Sequence, residues 1–273
     1  IPVIEMPWDH IENAWEFLAL HHEVGHDLEA DLKLRARLVL NLQGALLAKN
    51  VPLERVQTWL AWQAEVFADL TALQLGGPAF VETLMHLLML PKDMVTVFNP
   101  EDPHPTHYVR ILMNAAYIPT LIAGNAALAA YGAQMAERWQ SLYGLHKHFD
   151  TYISDFPVVF QALMDTPMPE LLNQTMRQLL PYSAADEARI QKGAGYLRTG
   201  KSKPASLRPR HCISAARLAV SQASQEGGLS DDLLDQVQQR LMALVRENGP
   251  EGLRGGDGST PHKQFIASFV DRL

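Results

Sequence analysis

One cysteine, Cys212, is all that the 273 residues contain. An internal disulfide is therefore excluded, any metal site has to be built from His, Asp and Glu, and a reducing compartment, the cytoplasm, is the expected location. Basic charge is also short. Against 30 Asp and Glu stand 23 Lys and Arg, a formal net charge of −7, which offers no net pull toward a phosphate backbone, so no nucleic-acid partner is expected. Gly and Pro, at 17 each, are too few for a low-complexity or fibrous chain, and 47% hydrophobic with 19% charged residues fits a globular protein of one to two domains. A clean membrane-spanning run is missing too. Ile111 to Ala136 carries no charged side chain and is long enough to span, but Asn114, Pro119, Gly124, Asn125 and Gln134 interrupt it. A buried helix pair broken near Pro119 is expected there. Ile1 to Trp8 is no apolar signal core, and a start at Ile1 leaves a removed leader or a longer parent chain open.

Period-two alternation between turn signals is absent as well, and the apolar periodicity is helical nearly throughout, which predicts an all-α fold. The spacing predicts a first helix from about Asp9 to Leu28, with Asp9 and Glu12 as a capping pair, and a second from Asp31 to Ala48. A third helix is expected from Pro52 up to Gly76, and a fourth over Ala79 to Leu90. After the uncharged segment, helices are expected near Ala136 to His148, Tyr152 to Met164 and Glu170 to Leu179. Three regions result: a helical domain over 1–180, a basic connector with several Gly and Pro over 181–210, and a C-terminal helical extension over 211–273. The last helix of the extension starts after Ser230 and stops at Gly249 and Pro250.

The chemistry concentrates in the first helix. His22, Glu23, Val24, Gly25 and His26 spell H-E-x-x-H. Residues four apart on a helix rise ~6 Å and leave the same face, so both imidazoles can reach one small ion. Two neutral imidazoles bind zinc at ~2.0–2.1 Å, and a carboxylate next to them can take a proton from water activated by the metal. Random placement of His and Glu in a chain of this composition gives roughly 0.02 such matches, so the motif is informative.

A third protein ligand is needed, and two glutamates compete for the place. Glu29 shares the face of His26 but rises ~10.5 Å above His22 along a continuous helix, too far for one ion. Glu65 lies on the third helix in the stretch Glu65, Val66, Phe67, Ala68, Asp69, and the helix between allows an antiparallel return. A carboxylate on a face that also holds Trp62 and Leu73 needs a partner, which a metal supplies. Asp69, one turn on, can accept the free ring N–H of a liganding histidine and fix its tautomer; otherwise it is an ordinary exposed acid.

These residues carry a resemblance. The HExxH of His22 to His26 and the ExxAD of Glu65 to Asp69 resemble the gluzincin metallopeptidases. The segment His104, Pro105, four further residues, Arg110, Ile111 resembles the HPxxxxRI element of the M48 (Ste24/HtpX-type) peptidases in the same order. The likeness covers about Leu18 to Ile111. It implies His22, His26 and Glu65 as ligands of Zn2+, Glu23 as general base and acid, Asp69 as the partner of a liganding histidine, and His104 with Arg110 as helpers near the site. The activity implied is hydrolysis of peptide bonds in a peptide or protein substrate. Stabilisation of the tetrahedral oxyanion would come from His104, His107, Tyr108 or Arg110, and the sequence does not choose among them. The segment from His104 to Arg110 is expected to fold back beside the zinc, with Thr106 as the N-cap of a helix beginning near His107.

The main rival is a binding or regulatory domain with a structural zinc or none. Closed sites have four protein ligands, and Glu23 would then have no task. Gly195 to Ser202 satisfies the letters of a phosphate-binding P-loop without a buried strand before it. Six bases with no acid lie between Ile190 and Arg210, expected as a solvated linker or, less so, a dock for an acidic partner. His146 and His148 are expected on different helix faces rather than on a second metal.

Overall fold

The computed structural model describes residues 13–205 and 207–248, and all of its regular structure there is helical apart from an isolated bridge between Met168 and Gln174. The all-α expectation therefore holds. No helix among the described residues is long and apolar enough to cross a membrane. Asp9, Glu12, Gly249 and Pro250, named above as helix boundaries, lie outside the described residues.

The chain divides into two compact units, the first holding Leu18–Ser183. A 3-10 turn over Ala14–Ala19 leads into α1 (Leu20–Asp31), so the expected first helix starts later as α-helix and runs three residues further. Lys33, at φ 55°, turns the chain into α2 (Arg35–Ala48). Its Leu38, Leu42 and Leu46 recur every fourth residue and are fully buried, the stripe that fixes how α2 packs. The expected third helix is two: α3 (Leu53–Ala61), entered at Pro52, and α4 (Gln63–Gly76), with Trp62 as the residue between them.

Helix α4 is the axis of this unit. Every residue from Val66 to Gly76 is buried, as expected of a core helix apolar on all sides, and Gly77 ends it at φ 71°. Then come α5 (Ala79–Leu87), the single turn α6 (Lys92–Val95), α7 (His107–Leu121), α8 (Ala126–Tyr143), α9 (Asp150–Met164) and the short α10 (Met176–Leu179). Helices α1, α2, α3, α5, α7 and α9 all touch α4.

The uncharged segment forms α7 and the first part of α8, but only α7 is largely buried: of the α8 part just Leu128, Gly132 and Met135 are, and the break falls at Ile122 to Asn125, beyond Pro119. Pro119 lies in the last turn of α7 without an N–H for the Ala115 carbonyl, and both pack against Gly132 of α8, where a Cβ would come within 2.6 Å of that oxygen. Asn125 then caps α8, its side chain accepting from the N–H groups of Ala127 and Leu128.

The second unit holds residues 13–17 and, from Ala184, the helices α11 (Ala184–Thr199), α12 (Pro209–Gln225) and α13 (Asp231–Asn248). They pack pairwise into a three-helix bundle around Leu197, Cys212, Ala216, Val237 and Leu241. Much of the segment expected as a connector is thus α11. Gly193, one of the glycines that suggested a linker, is a packing contact, since a Cβ there would lie 2.9 Å from Cβ of Ala215. Glu16 pairs with Arg217 of α12, and the Ala14 N–H donates to Gln238 of α13.

Candidate metal centre

The centre lies where α1 crosses α4. At the crossing Gly25 of α1 meets Ala68 of α4 so closely that a Cβ on Gly25 would stand 2.6 Å from the Ala68 Cα. Two small residues let the backbones approach, and the polar residues flanking them are thereby brought together: His22 and His26 on one helix, Glu65 and Asp69 on the other. His21 faces elsewhere, against Gly76 at the far end of α4.

His22 Nε2 and His26 Nε2 are 3.0 Å apart, with their rings edge to face. Glu65 closes the triangle, its Oε2 3.3 Å from His22 Nε2 and its Oε1 3.2 Å from His26 Nε2. The two contacts use different oxygens of the carboxylate, and one ligand atom from each of the three residues lies within 4.8 Å of the others, a grouping that could hold a metal ion. His22, His26 and Glu65 form the one such group among the described residues.

Asp69 is completely buried, not an exposed acid. Its Oδ1 lies 2.8 Å from His22 Nδ1, and Arg110 grips both oxygens through Nε (2.7 Å) and Nη2 (2.8 Å). The ring nitrogen of His22 that does not face Glu65 is thus fixed as the donor, and the other is turned toward the trio.

Electrostatics follow from this packing. Burial presses His22 toward its neutral form, yet its bonds to Asp69 and Glu65 overcome that and lift its pKa to about 9. Burial raises the Glu65 carboxyl, but the two histidines more than reverse it and hold it well below the usual carboxylate range. Asp69 is driven the same way, burial being outweighed chiefly by the Arg110 guanidinium. The centre therefore presents anionic carboxylates and a proton on His22 in the place where a cation would compete.

The other expected residues divide. Glu23 is half-buried; burial would lower the pKa of Arg110, but Asp69 chiefly, then Glu65 and Glu23, raise it. Glu29 is buried and accepts from Gln63 Nε2 at 3.0 Å, outside the trio. The segment after Pro103 does return to the centre. His104 is exposed at the rim, its Nε2 3.7 Å from Glu65 Oε1 and its backbone N–H donating to Asp102 Oδ1. Arg110 is buried 3.5 Å from Glu65 Oε2, with its guanidinium committed to Asp69, so it orients the centre instead of facing a substrate.

Tyr108 does not join in. Its ring is buried and stacked on Phe149, and its hydroxyl donates to the Gly144 carbonyl at 2.9 Å. Two residues from Arg110 on a helix, it points to a different face, which removes it from the oxyanion candidates. His107 is half-buried, and burial followed by Arg110 lowers its pKa. The helix does begin at His107, but the Thr106 side chain makes no capping bond. Asn114, on which sequence reasoning placed no role, donates from Nδ2 to Asp69 Oδ2 at 2.9 Å. The signal that could have found it is its position one turn beyond Arg110 on the same face.

Elsewhere the rejected motifs have ordinary explanations. The P-loop letters fall on the end of α11, where Gly200 at φ 71° closes the helix and the guanidinium of Arg240 donates to the Leu197 and Arg198 carbonyls. Within the basic run, Arg198 pairs with Glu226 and Lys203 with Glu247. His146 and His148 flank the start of a 3-10 turn, and His146 Nε2 contacts the Tyr143 carbonyl. Burial pushes the Cys212 thiol up to about 12, which leaves no thiolate nucleophile at neutral pH.

Comparison with protein-family models, with curated proteins and with solved structures finds no match for this chain.

Proposed function

We propose that the protein is a zinc-dependent metallopeptidase that hydrolyses peptide bonds in a peptide or protein substrate within a reducing compartment. The observation that carries the reading is the grouping of two imidazole nitrogens and one carboxylate, with Glu23 adjacent to His22 in the chain. A structural site has no use for that glutamate, and three protein ligands leave a fourth position open for chemistry. The resemblance of the HExxH, ExxAD and HPxxxxRI segments to the gluzincins points the same way.

Zinc held by His22, His26 and Glu65 would supply Lewis acidity, polarising a carbonyl and making water acidic near neutral pH. The chain's own residues do the rest. Glu23 makes no hydrogen bond or ion pair of its own among the described residues, so its carboxylate is free to take a proton from water and hand it to the leaving amine. Asp69 keeps the proton of His22 on Nδ1 and so keeps Nε2 for the metal. His104, at the exposed rim, is the side chain placed to donate to a developing oxyanion.

The test is Glu23→Gln, which preserves shape and removes the proton acceptor. Cleavage of a peptide library is expected to slow by ~10²–10⁴-fold while the metal is retained. Wild-type turnover in this variant would overturn the assignment of the base.

A further inference from the structure

We propose that Asn114 of α7 is a positioning residue of the metal centre: it locks the Asp69 carboxylate in the orientation that keeps Oδ1 on the His22 ring. Its functional meaning rests on the zinc reading above, whereas the positioning is a property of the metal-free chain.

An ionised Asp offers about four acceptor sites. At Asp69, Oδ1 takes His22 Nδ1 and Arg110 Nη2, and Oδ2 takes Arg110 Nε and Asn114 Nδ2. Every site is filled, and Asn114 fills the last. Its orientation follows from chemistry: the Asp69 Oδ2 and the Arg110 carbonyl, each 2.9 Å from the amide nitrogen, are both acceptors, so a flipped amide would oppose oxygen to oxygen.

Asn114 carries a cost that packing alone does not require. It is fully buried, its Oδ1 has no hydrogen-bond partner, and asparagine is a poor residue for a helix interior. What it supplies is balance. Arg110 Nη2 and His22 Nδ1 are 3.3 Å apart and converge on the same Oδ1, so the guanidinium competes with the histidine for that oxygen. A neutral donor on Oδ2 holds the carboxylate from the opposite side without adding charge, and Oδ1 stays available to the ring.

The experiment uses the full chain labelled with 15N-histidine, as wild type, Asn114→Leu and a control, Gln74→Leu. Gln74 is equally buried on α4 but donates to the Tyr117 hydroxyl at 2.7 Å, not to Asp69. In metal-free protein the hydrogen-bonded Nδ1 proton of His22 is expected in wild type and Gln74→Leu, and lost in Asn114→Leu. In parallel, chelator competition with zinc is expected to give ~10-fold weaker binding for Asn114→Leu and unchanged binding for Gln74→Leu. Should Asn114→Leu fail to fold, Asn114→Ala replaces it. An unchanged His22 resonance in a folded Asn114 variant would overturn the proposal, as would equal effects of the Asn114 and Gln74 substitutions. If wild type takes up no zinc, the metal reading fails by itself, and the resonance still decides the role of Asn114.

Discussion

His104 and Tyr108 lie four residues apart in one segment, yet they end in opposite environments. His104 is left at the rim, 3.7 Å from Glu65, while Tyr108 is buried with its hydroxyl spent on Gly144. Replacing His104 by Ala should lower kcat and kcat/KM together by ~10²–10³-fold with zinc retained, as for loss of a transition-state donor, whereas Tyr108→Phe should leave turnover unchanged. Steady-state kinetics on both variants check this, and the reverse pattern would reinstate the tyrosine. The sequence made the candidate ligand trio legible because helical spacing alone puts His22 and His26 on one face and Glu65 one turn from Asp69. It did not reveal which way Tyr108 faces, since at the start of a helix the buried side is set by what packs against it. Nor did it reveal Asn114, which stood out only as a polar interruption of an uncharged run.

At the scale of elements, the approach of α1 to α4 decides whether the ligands meet at all. Gly25→Ala would drive a methyl group into the backbone of Ala68, where the clash is with main chain that cannot swing aside. We expect a loss of ~1–3 kcal/mol in stability, the usual cost of overpacking, together with weaker zinc binding as the helices part. Gly44 in α2 is exposed and would meet nothing within 4 Å, so Gly44→Ala should instead stabilise by ~0.5–1 kcal/mol. Thermal unfolding of the two variants with chelator competition separates these outcomes by sign. Element existence was largely legible in the apolar periodicity, as for Leu38, Leu42 and Leu46. The sense of glycine was not: Gly25 and Gly193 mark close helix contacts inside helices, whereas glycine in a helical pattern is by itself neutral or a break.

For the molecule as a whole, the buried histidine that couples stability to pH and the candidate metal centre belong to different units. In the second, His211 is buried, and burial, with Arg210 next, pulls its pKa down to about 4 despite Asp186. Above pH 6.5 the ring is neutral whether the chain is folded or not. Between 6.5 and about 4 the unfolded chain takes up a proton that the folded unit refuses, so stability falls as pH falls, by on the order of 3 kcal/mol in total. His211→Gln should flatten that part of the pH profile in denaturant unfolding; an unchanged slope would contradict it. The first unit holds the candidate metal centre, and the central proposal is that His22, His26 and Glu65 hold one catalytic zinc. Metal analysis of purified wild type beside Glu65→Ala and Glu29→Ala tests it most directly. About one zinc per chain is expected in wild type and in Glu29→Ala, with its loss in Glu65→Ala. Wild type without stoichiometric zinc after reconstitution, or full zinc in Glu65→Ala, would contradict it.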